Sequence, residues 1–110
     1  MSALFAALLL IGIIGGVESV TCTGCKCCAQ PLITKTLTGN GAHAFFSDTT
    51  DTTTGACAVR KLVCKGPMAN IEINNKNGVV GDTIEVTCNA AGTAWTYAGT
   101  VITKLECASF

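Results

Sequence analysis

The fold is decided by the alternation of polar and apolar residues in the stretch Thr83-Ile84-Glu85-Val86-Thr87-Cys88. A period of two places Ile84, Val86 and Cys88 on one face, the pattern of a strand with one side in a core. A cysteine on that face points inward, where a disulfide can join two sheets. The sequence therefore predicts a strand at 83–88 that contributes a cysteine to the core.

Three other stretches, 58–64, 70–74 and 101–107, are also predicted to be strands. The stretch 70–74 alternates strictly, and Asn77-Gly78 after it supplies a turn that tolerates positive φ. The last stretch places on one face Val101, Thr103, Leu105 and Cys107. No window has a sustained helical period, so we predict an all-β, small disulfide-rich β-sandwich-like domain.

The segments 37–44 and 48–55, which precede all four of these strands, are rich in turn and loop formers. Phe45-Phe46 between them is expected to tether the stretch to the core. The second segment contains five threonines and is interpreted as a solvated loop, with O-linked sugar left as an alternative.

The first residues of the chain resemble a secretory signal peptide. An apolar run from Ala3 to Ile14 is shorter than the ~20 residues that a spanning helix needs. Val17 and Ser19 provide small residues at positions minus three and minus one of a cleavage site after Ser19. We therefore predict a signal peptide at 1–19 and a secreted, extracellular domain at 20–110; an uncleaved anchor and a buried core helix are the alternatives.

All eight cysteines follow the predicted cleavage site: Cys22, Cys25, Cys27, Cys28, Cys57, Cys64, Cys88 and Cys107. This density is typical of a disulfide scaffold, and the number alone leaves the pairing open. A zinc site is disfavoured because His43 is the only histidine. A thioredoxin-type motif is disfavoured because no helix is signalled at 22–28. We expect structural disulfides, no metal and no cofactor.

Composition limits the function. A chain of 110 residues leaves room for one domain, and its formal net charge of +0 lacks the basic patch that nucleic acid or a membrane surface requires. We expect neither nucleic acid nor, after signal removal, a membrane as partner. A toxin-like or antimicrobial effector is disfavoured for the same reason.

The order of motifs resembles a known family. The chain contains, in order, Cys22-x-x-Cys25, Cys57 with Cys64, an Asn-Ile-Glu-Ile-Asn strand, Thr-Ile-Glu-Val-Thr-Cys88, Trp95 and a final Leu-Glu-Cys107. This order is similar to that of the six-cysteine "C-six" domain of nematode extracellular proteins. The resemblance implies an extracellular scaffold of three disulfides and no assigned activity. It implies that the six cysteines are Cys22, Cys25, Cys57, Cys64, Cys88 and Cys107.

Cys27 and Cys28 depart from that pattern, either as a fourth bridge or as free or intermolecular thiols. Vicinal cysteines rarely pair with each other. The C-terminal part also weakly resembles a sushi module, in which a tryptophan lies between the last two cysteines, as Trp95 lies between Cys88 and Cys107.

Catalysis is not expected, because a nucleophile, a base and an orienting group are scarce. His43 lies in a Gly-rich segment and is interpreted as exposed and idle. A carboxylate pair could hydrolyse glycosides, but the acidic residues are scattered and are interpreted as solvated charges: Asp48, Asp51, Glu72, Asp82, Glu85 and Glu106.

The class of function that remains is recognition of another molecule. Trp95 and Tyr97 lie two residues apart, so their rings share one side of a strand and could stack on a sugar or fill a pocket of a partner. Burial of Trp95 in the core is the competing interpretation. We predict a binding module for an extracellular protein or glycan; the alternative is a matrix or cuticle component cross-linked through Cys27 or Cys28.

Overall fold

The computed structural model describes residues 22–110, and the predicted signal peptide at 1–19 lies outside this range. Within the described residues, the regular secondary structure consists of one 3₁₀ turn, Gln30–Leu32, and ten strands. The strands are β1 (Thr34–Lys35), β2 (Ala42–His43), β3 (Ser47–Asp51), β4 (Val59–Val63), β5 (Asn70–Ile73), β6 (Gly78–Val80), β7 (Thr83–Cys88), β8 (Trp95–Tyr97), β9 (Thr100–Ile102) and β10 (Lys104–Ala108). The predicted all-β class is confirmed.

The strands form two five-stranded sheets. The first has the order β1-β10-β5-β6, and β2 pairs with β10 beyond the end of β1. The second has the order β3-β4-β7-β8-β9. All pairings are antiparallel except that of β1 with β10, which is parallel. β6 forms one edge of the first sheet, and β3 and β9 form the two edges of the second.

The core lies between the sheets and follows the predicted alternation. β7 alternates strictly between exposed and buried residues, with Ile84, Val86 and Cys88 inside. Leu62 on β4 and Ile71 on β5 are fully buried and contribute to the same cluster. The period of two in the sequence therefore identified the core face of these strands.

Four disulfides join all eight cysteines: Cys22–Cys27, Cys25–Cys57, Cys28–Cys88 and Cys64–Cys107. Cys64 directly follows β4 in the second sheet and Cys107 lies on β10 in the first, so their bridge joins the two sheets. Cys28–Cys88 fixes the N-terminal segment to β7. Cys27 and Cys28, left open by the sequence, are both bridged, and neither is paired with the other.

The predicted strand at 101–107 is in fact two strands in different sheets. β9 pairs with β8, β10 pairs with β5, and the chain changes sheets at Thr103. Asn74 covers this break: its Oδ1 accepts hydrogen bonds from the Thr103 and Lys104 amides at 2.8 and 3.2 Å, and its Nδ2 donates to the Val101 carbonyl at 2.8 Å. As a result Val101 is exposed rather than part of a continuous apolar face.

The Thr-rich segment also differs from its prediction. Ser47–Asp51 is a strand that pairs along its length with β4, and the loop begins only after Asp51. Of the two phenylalanines, Phe45 packs against the core and Phe46 is 65% exposed. Only Phe45 is therefore a tether. In the part of the chain that is described, no helix has the length and apolarity to cross a membrane.

Candidate functional site

An open groove of about 390 Å³ lies between the β5–β6 hairpin of the first sheet and the β8–β9 hairpin of the second. Its deepest residues are Ile73 and Ile102, which are buried. Its sides include the side chains of Val80 and Tyr97. Val79 borders it through its backbone, because its side chain lies on the opposite face of β6, the face of its partner Glu72. The groove is thus the place where the two sheets separate and the apolar layer between them comes close to solvent.

Tyr97 lines this groove, whereas Trp95 does not. The Tyr97 side chain is half-buried and packs against the core from its edge. Trp95 is 0% exposed, its Nε1 donates to the Ala29 carbonyl at 3.0 Å, and the Arg60 guanidinium lies over its ring. Both rings share one side of β8, as expected, but only Tyr97 is accessible to a ligand; Trp95 is a core residue.

Two tight turns shape the ends of the groove. Ala98 and Gly99 have φ values of 50 and 83°, the pair of positive angles that a two-residue type I′ hairpin requires. On the other side, Asn74, Asn75 and Lys76 are all left-handed. The turns keep both hairpins short and leave the groove open at its mouth.

Few polar groups in the groove are free. The side-chain amide of Asn74 is already hydrogen-bonded to the backbone where the chain changes sheets. Within residues 22–110, the side chains of Asn77, Tyr97 and Thr100 make no hydrogen bond to the protein and line the groove. A ligand therefore meets an apolar floor with three polar groups at its rim.

The strands that border the groove are unprotected edges. β6 consists of Gly78, Val79 and Val80, and β9 of Thr100, Val101 and Ile102, with no charged residue in either. Val79 is 62% and Val101 49% exposed. The opposite edge of the second sheet, β3, has Asp48 and Asp51. Charged residues discourage pairing at an edge, and exposed valines favour it.

A second apolar surface lies beside Leu37 and Phe46, in a groove of about 330 Å³. The Lys65 ammonium lies 4.1 Å from the centre of the Phe46 ring and covers one of its faces. Lys35, on the same groove, is paired with Asp48 at 2.8 Å. Phe46, the main aromatic group of this surface, is therefore already in contact with Lys65.

The structure corrects the prediction of solvated charges for Asp48, Glu72 and Glu106, whereas the other three acidic residues are exposed as predicted: Asp51, Asp82 and Glu85. Glu72 and Glu106 lie directly opposite each other on β5 and β10, which places their Cβ atoms about 5 Å apart. Glu106 is 4% exposed, and one oxygen of Glu72 is buried without a hydrogen-bond partner in the described structure. Asp48 is held by Arg60, a buried residue that donates to both of its oxygens at 2.8 and 2.7 Å.

The Glu72–Glu106 pair is not arranged for acid–base chemistry. Glu106 accepts hydrogen bonds from Thr36 Oγ1, the amide and hydroxyl of Thr38, and the Gly39 amide, all at 2.8–3.1 Å. These donors, the Thr38 amide foremost, lower its pKa to about 2 against the opposing effect of burial. A carboxylate so occupied is neither a proton donor at neutral pH nor a free nucleophile. It is a structural anchor for the segment 36–39.

His43 is not the exposed, idle side chain that the sequence indicated. It is half-buried on β2, and its Nδ1 donates to the Ala44 carbonyl at 3.0 Å while Nε2 accepts from Ser109 Oγ at 2.9 Å. This Ser–His geometry resembles that of a nucleophile and its base. However, the amides of Ser109 and Phe110 are bonded to the carbonyls of Gly41 and Pro67, so neither is free to stabilise an oxyanion.

The same imidazole lies beside a disulfide. One of its ring nitrogens and the sulfurs of Cys64 and Cys107 lie within 4.8 Å of one another. Because these sulfurs are bonded to each other, they are not thiolates and do not form a metal site in this state. His43 therefore fixes the C-terminal end of the chain over the bridge between the sheets.

Sequence reasoning missed the groove because its two sides come from hairpins that are distant along the chain. One signal was misplaced: the turn predicted at Asn77-Gly78 lies earlier, because Asn74, Asn75 and Lys76 have the positive φ angles and Gly78 already belongs to β6. The other signal, Ala98-Gly99, does mark a tight hairpin. Only the arrangement of the sheets shows that these hairpins face each other.

The comparisons with known proteins agree with the resemblance noted from the cysteine order. The family model "C6 domain" matches residues 28–107. A search of curated proteins found no match, and neither did a search of solved structures. Cys28 lies inside the matched range, while Cys22 and Cys25 precede it. Cys22 and Cys88, two of the six cysteines that the resemblance implied, form bridges with Cys27 and Cys28, outside that set. With more than half of its length matched, the chain belongs to the C6 domain family.

Proposed function

We propose that the protein is a secreted binding module that engages an extracellular protein or glycan through the groove at Tyr97. The observation that carries this proposal is the coincidence, at one side of the sandwich, of an open apolar groove with two uncharged edge strands. Exposed apolar surface with a polar rim is typical of interaction sites. Tyr97 is a residue type enriched among binding hot spots.

The disulfides support an extracellular location and a rigid recognition surface. Four bridges in a domain of this size are typical of secreted scaffolds with a small core. A preformed groove loses little conformational entropy when a ligand binds. The module therefore acts by recognition and not by catalysis, in line with the occupied state of Glu106 and of the amides near Ser109.

The alternative role, a cross-linked matrix or cuticle component, is less well supported. It depends on intermolecular bonds from Cys27 or Cys28, and both are engaged within the chain. Non-covalent assembly would still be compatible with a structural role, but it would also require a surface such as the groove.

The test is a screen of the oxidised, secreted chain against arrays of extracellular proteins and glycans. We expect at least one ligand whose binding is reduced roughly tenfold by Tyr97→Ala, which removes a contact in the groove, or by Val79→Lys, which places a charge on the β6 edge beside it. Phe46→Ala, an exposed aromatic on the other groove, is the matched control and should leave binding unchanged. Fluorescence of the buried Trp95 verifies that each variant is folded. Ligands equally sensitive to Phe46→Ala, or insensitive to both groove variants, would contradict the proposal.

A further inference from the structure

The free edge of β6 and the apolar floor beside it define what the groove can hold. β6 ends the first sheet, so the outer side of its backbone has no strand partner in the described chain. All three of its residues, Gly78, Val79 and Val80, line the groove. Unpaired backbone amides and carbonyls at an edge are a template for another extended backbone.

We propose that the ligand is a segment of another polypeptide that pairs in extended conformation with β6 and inserts an apolar side chain into the groove. This inference rests on the proposed binding function and names its ligand class. The floor formed by Ile73 and Ile102 is buried, and no charged residue lines the groove. An inserted side chain is therefore β-branched, aliphatic or aromatic, and the alternation of a strand repeats such residues at every second position.

Backbone pairing fits the surface better than a carbohydrate does. A sugar presents many hydroxyl groups, whereas in the described part of the chain only Asn77, Tyr97 and Thr100 offer free polar side chains to the groove. An added strand instead satisfies its polar groups along the edge and uses the groove only for side chains. Val79, 62% exposed on the face of β6 opposite the groove, would gain a neighbour on the added strand.

β6 is better suited to pair with an added strand than the two edge strands of the second sheet, β3 and β9. β3 is also a terminal strand, but Asp48 and Asp51 lie on it, and Asp48 is already bonded to Arg60 and Lys35. At β9, Val101 is exposed but is not part of the groove lining. Among the strands of residues 22–110, only β6 combines a free edge, three groove-lining residues and the absence of charge.

The experiment selects ligands from a phage-displayed library of random linear peptides on the oxidised, secreted chain. We expect enriched peptides with apolar residues at alternate positions, which bind Val79→Lys roughly tenfold more weakly than the unchanged chain. Thr49→Lys, the same change on the exposed face of β3, is the matched control and should bind like the unchanged chain. Because Val79→Lys could also perturb folding, amide hydrogen exchange of the unchanged chain is measured with and without peptide. Exchange should slow at Gly78–Val80 in the complex.

Three results would overturn the inference. The first is the absence of any selected peptide that protects the β6 amides. The second is a glycan that binds in a Tyr97-dependent manner without that protection, in which case the binding function stands and the ligand class is wrong. The third is a concentration-dependent dimer abolished by Val79→Lys, which would make a second copy of the chain the occupant. If no ligand of any class responds to the groove variants, the proposed function fails as well.

Discussion

Replacement of Glu106 by glutamine tests whether one buried carboxylate holds the segment 36–39 on the first sheet. Oε1 accepts three hydrogen bonds, from Thr36 Oγ1 and from the amide and hydroxyl of Thr38. Oε2 accepts the fourth, from the Gly39 amide at 2.9 Å. Glutamine keeps one oxygen but places an NH₂ group against the remaining donors. A Cβ at position 39 would lie 2.6 Å from Oε2, so any other residue there would displace the carboxylate.

The expected loss follows from the pKa of Glu106. Hydrogen bonds from the Thr38 amide and its neighbours lower the pKa from the usual 4.5 to about 2 in the folded chain, and each unit corresponds to about 1.4 kcal/mol. The limit is therefore roughly 3 kcal/mol, and we expect about 2 kcal/mol because Leu37 and Thr38 are exposed and solvent screens the site. Since the pKa is lowered on folding, this stabilisation is complete above pH 4.5 and is lost as the pH falls towards 2.

The assay is denaturant unfolding with the disulfides intact, followed by the fluorescence of Trp95, which is fully buried and the only tryptophan. Glu85→Gln on the exposed face of β7 is the matched control, and it should change the unfolding free energy by less than about 0.5 kcal/mol. The difference between Glu106→Gln and the unchanged chain should shrink as the pH is lowered from 5 towards about 2. Equal effects of the two substitutions at neutral pH, or a difference independent of pH, would refute the anchoring role.

Two further predictions concern the sheet change and the disulfides. Asn74→Ala removes the side chain that hydrogen-bonds to the backbone of Val101, Thr103 and Lys104. It should lower the free energy of unfolding by about 2 kcal/mol. Asn75→Ala, at a neighbouring left-handed position, is the control for backbone strain in the same unfolding assay. Removing the Cys64–Cys107 pair by serine should cost about 4 kcal/mol and removing Cys22–Cys27 about 2 kcal/mol, because the bridges span 43 and 5 residues; equal midpoints of thermal unfolding for the two double variants would contradict this order.

The sequence predicted those parts of the fold in which local pattern and burial coincide. Alternation at 70–74 and 83–88 identified strands and their buried faces, because one side of each strand contacts the core and the other contacts solvent. It failed at 101–107, where alternation continues across Thr103 while the chain leaves one sheet for the other. The signal for that break is Asn74, far away in sequence, whose hydrogen bonds no local pattern reveals.

Polar residues were the other source of error. On β10 the residues Leu105–Ala108 are all buried, since β10 is an interior strand covered by the segment 36–39 on its second side. Glu106 was therefore interpreted as solvated when it is an anchor, and His43 as idle when both of its nitrogens are bonded. The candidate site was only partly accessible to sequence reasoning: Tyr97 was identified, but the groove exists only because two distant hairpins face each other.

The placement of the disulfides relates the stability of the domain to its proposed function. Among the described residues, the four bridges fix the N-terminal segment, the loop at Cys57 and the contact between β4 and β10. None of the bridged cysteines lies in the β5–β6 or β8–β9 hairpin, which the core and tight turns hold in place instead. A covalent link across those hairpins would close the separation between the sheets that forms the groove. Because the cross-links stabilise the rest of the sandwich, the edge at β6 can remain short, uncharged and unpaired without loss of the fold, and this is the arrangement that an added strand requires.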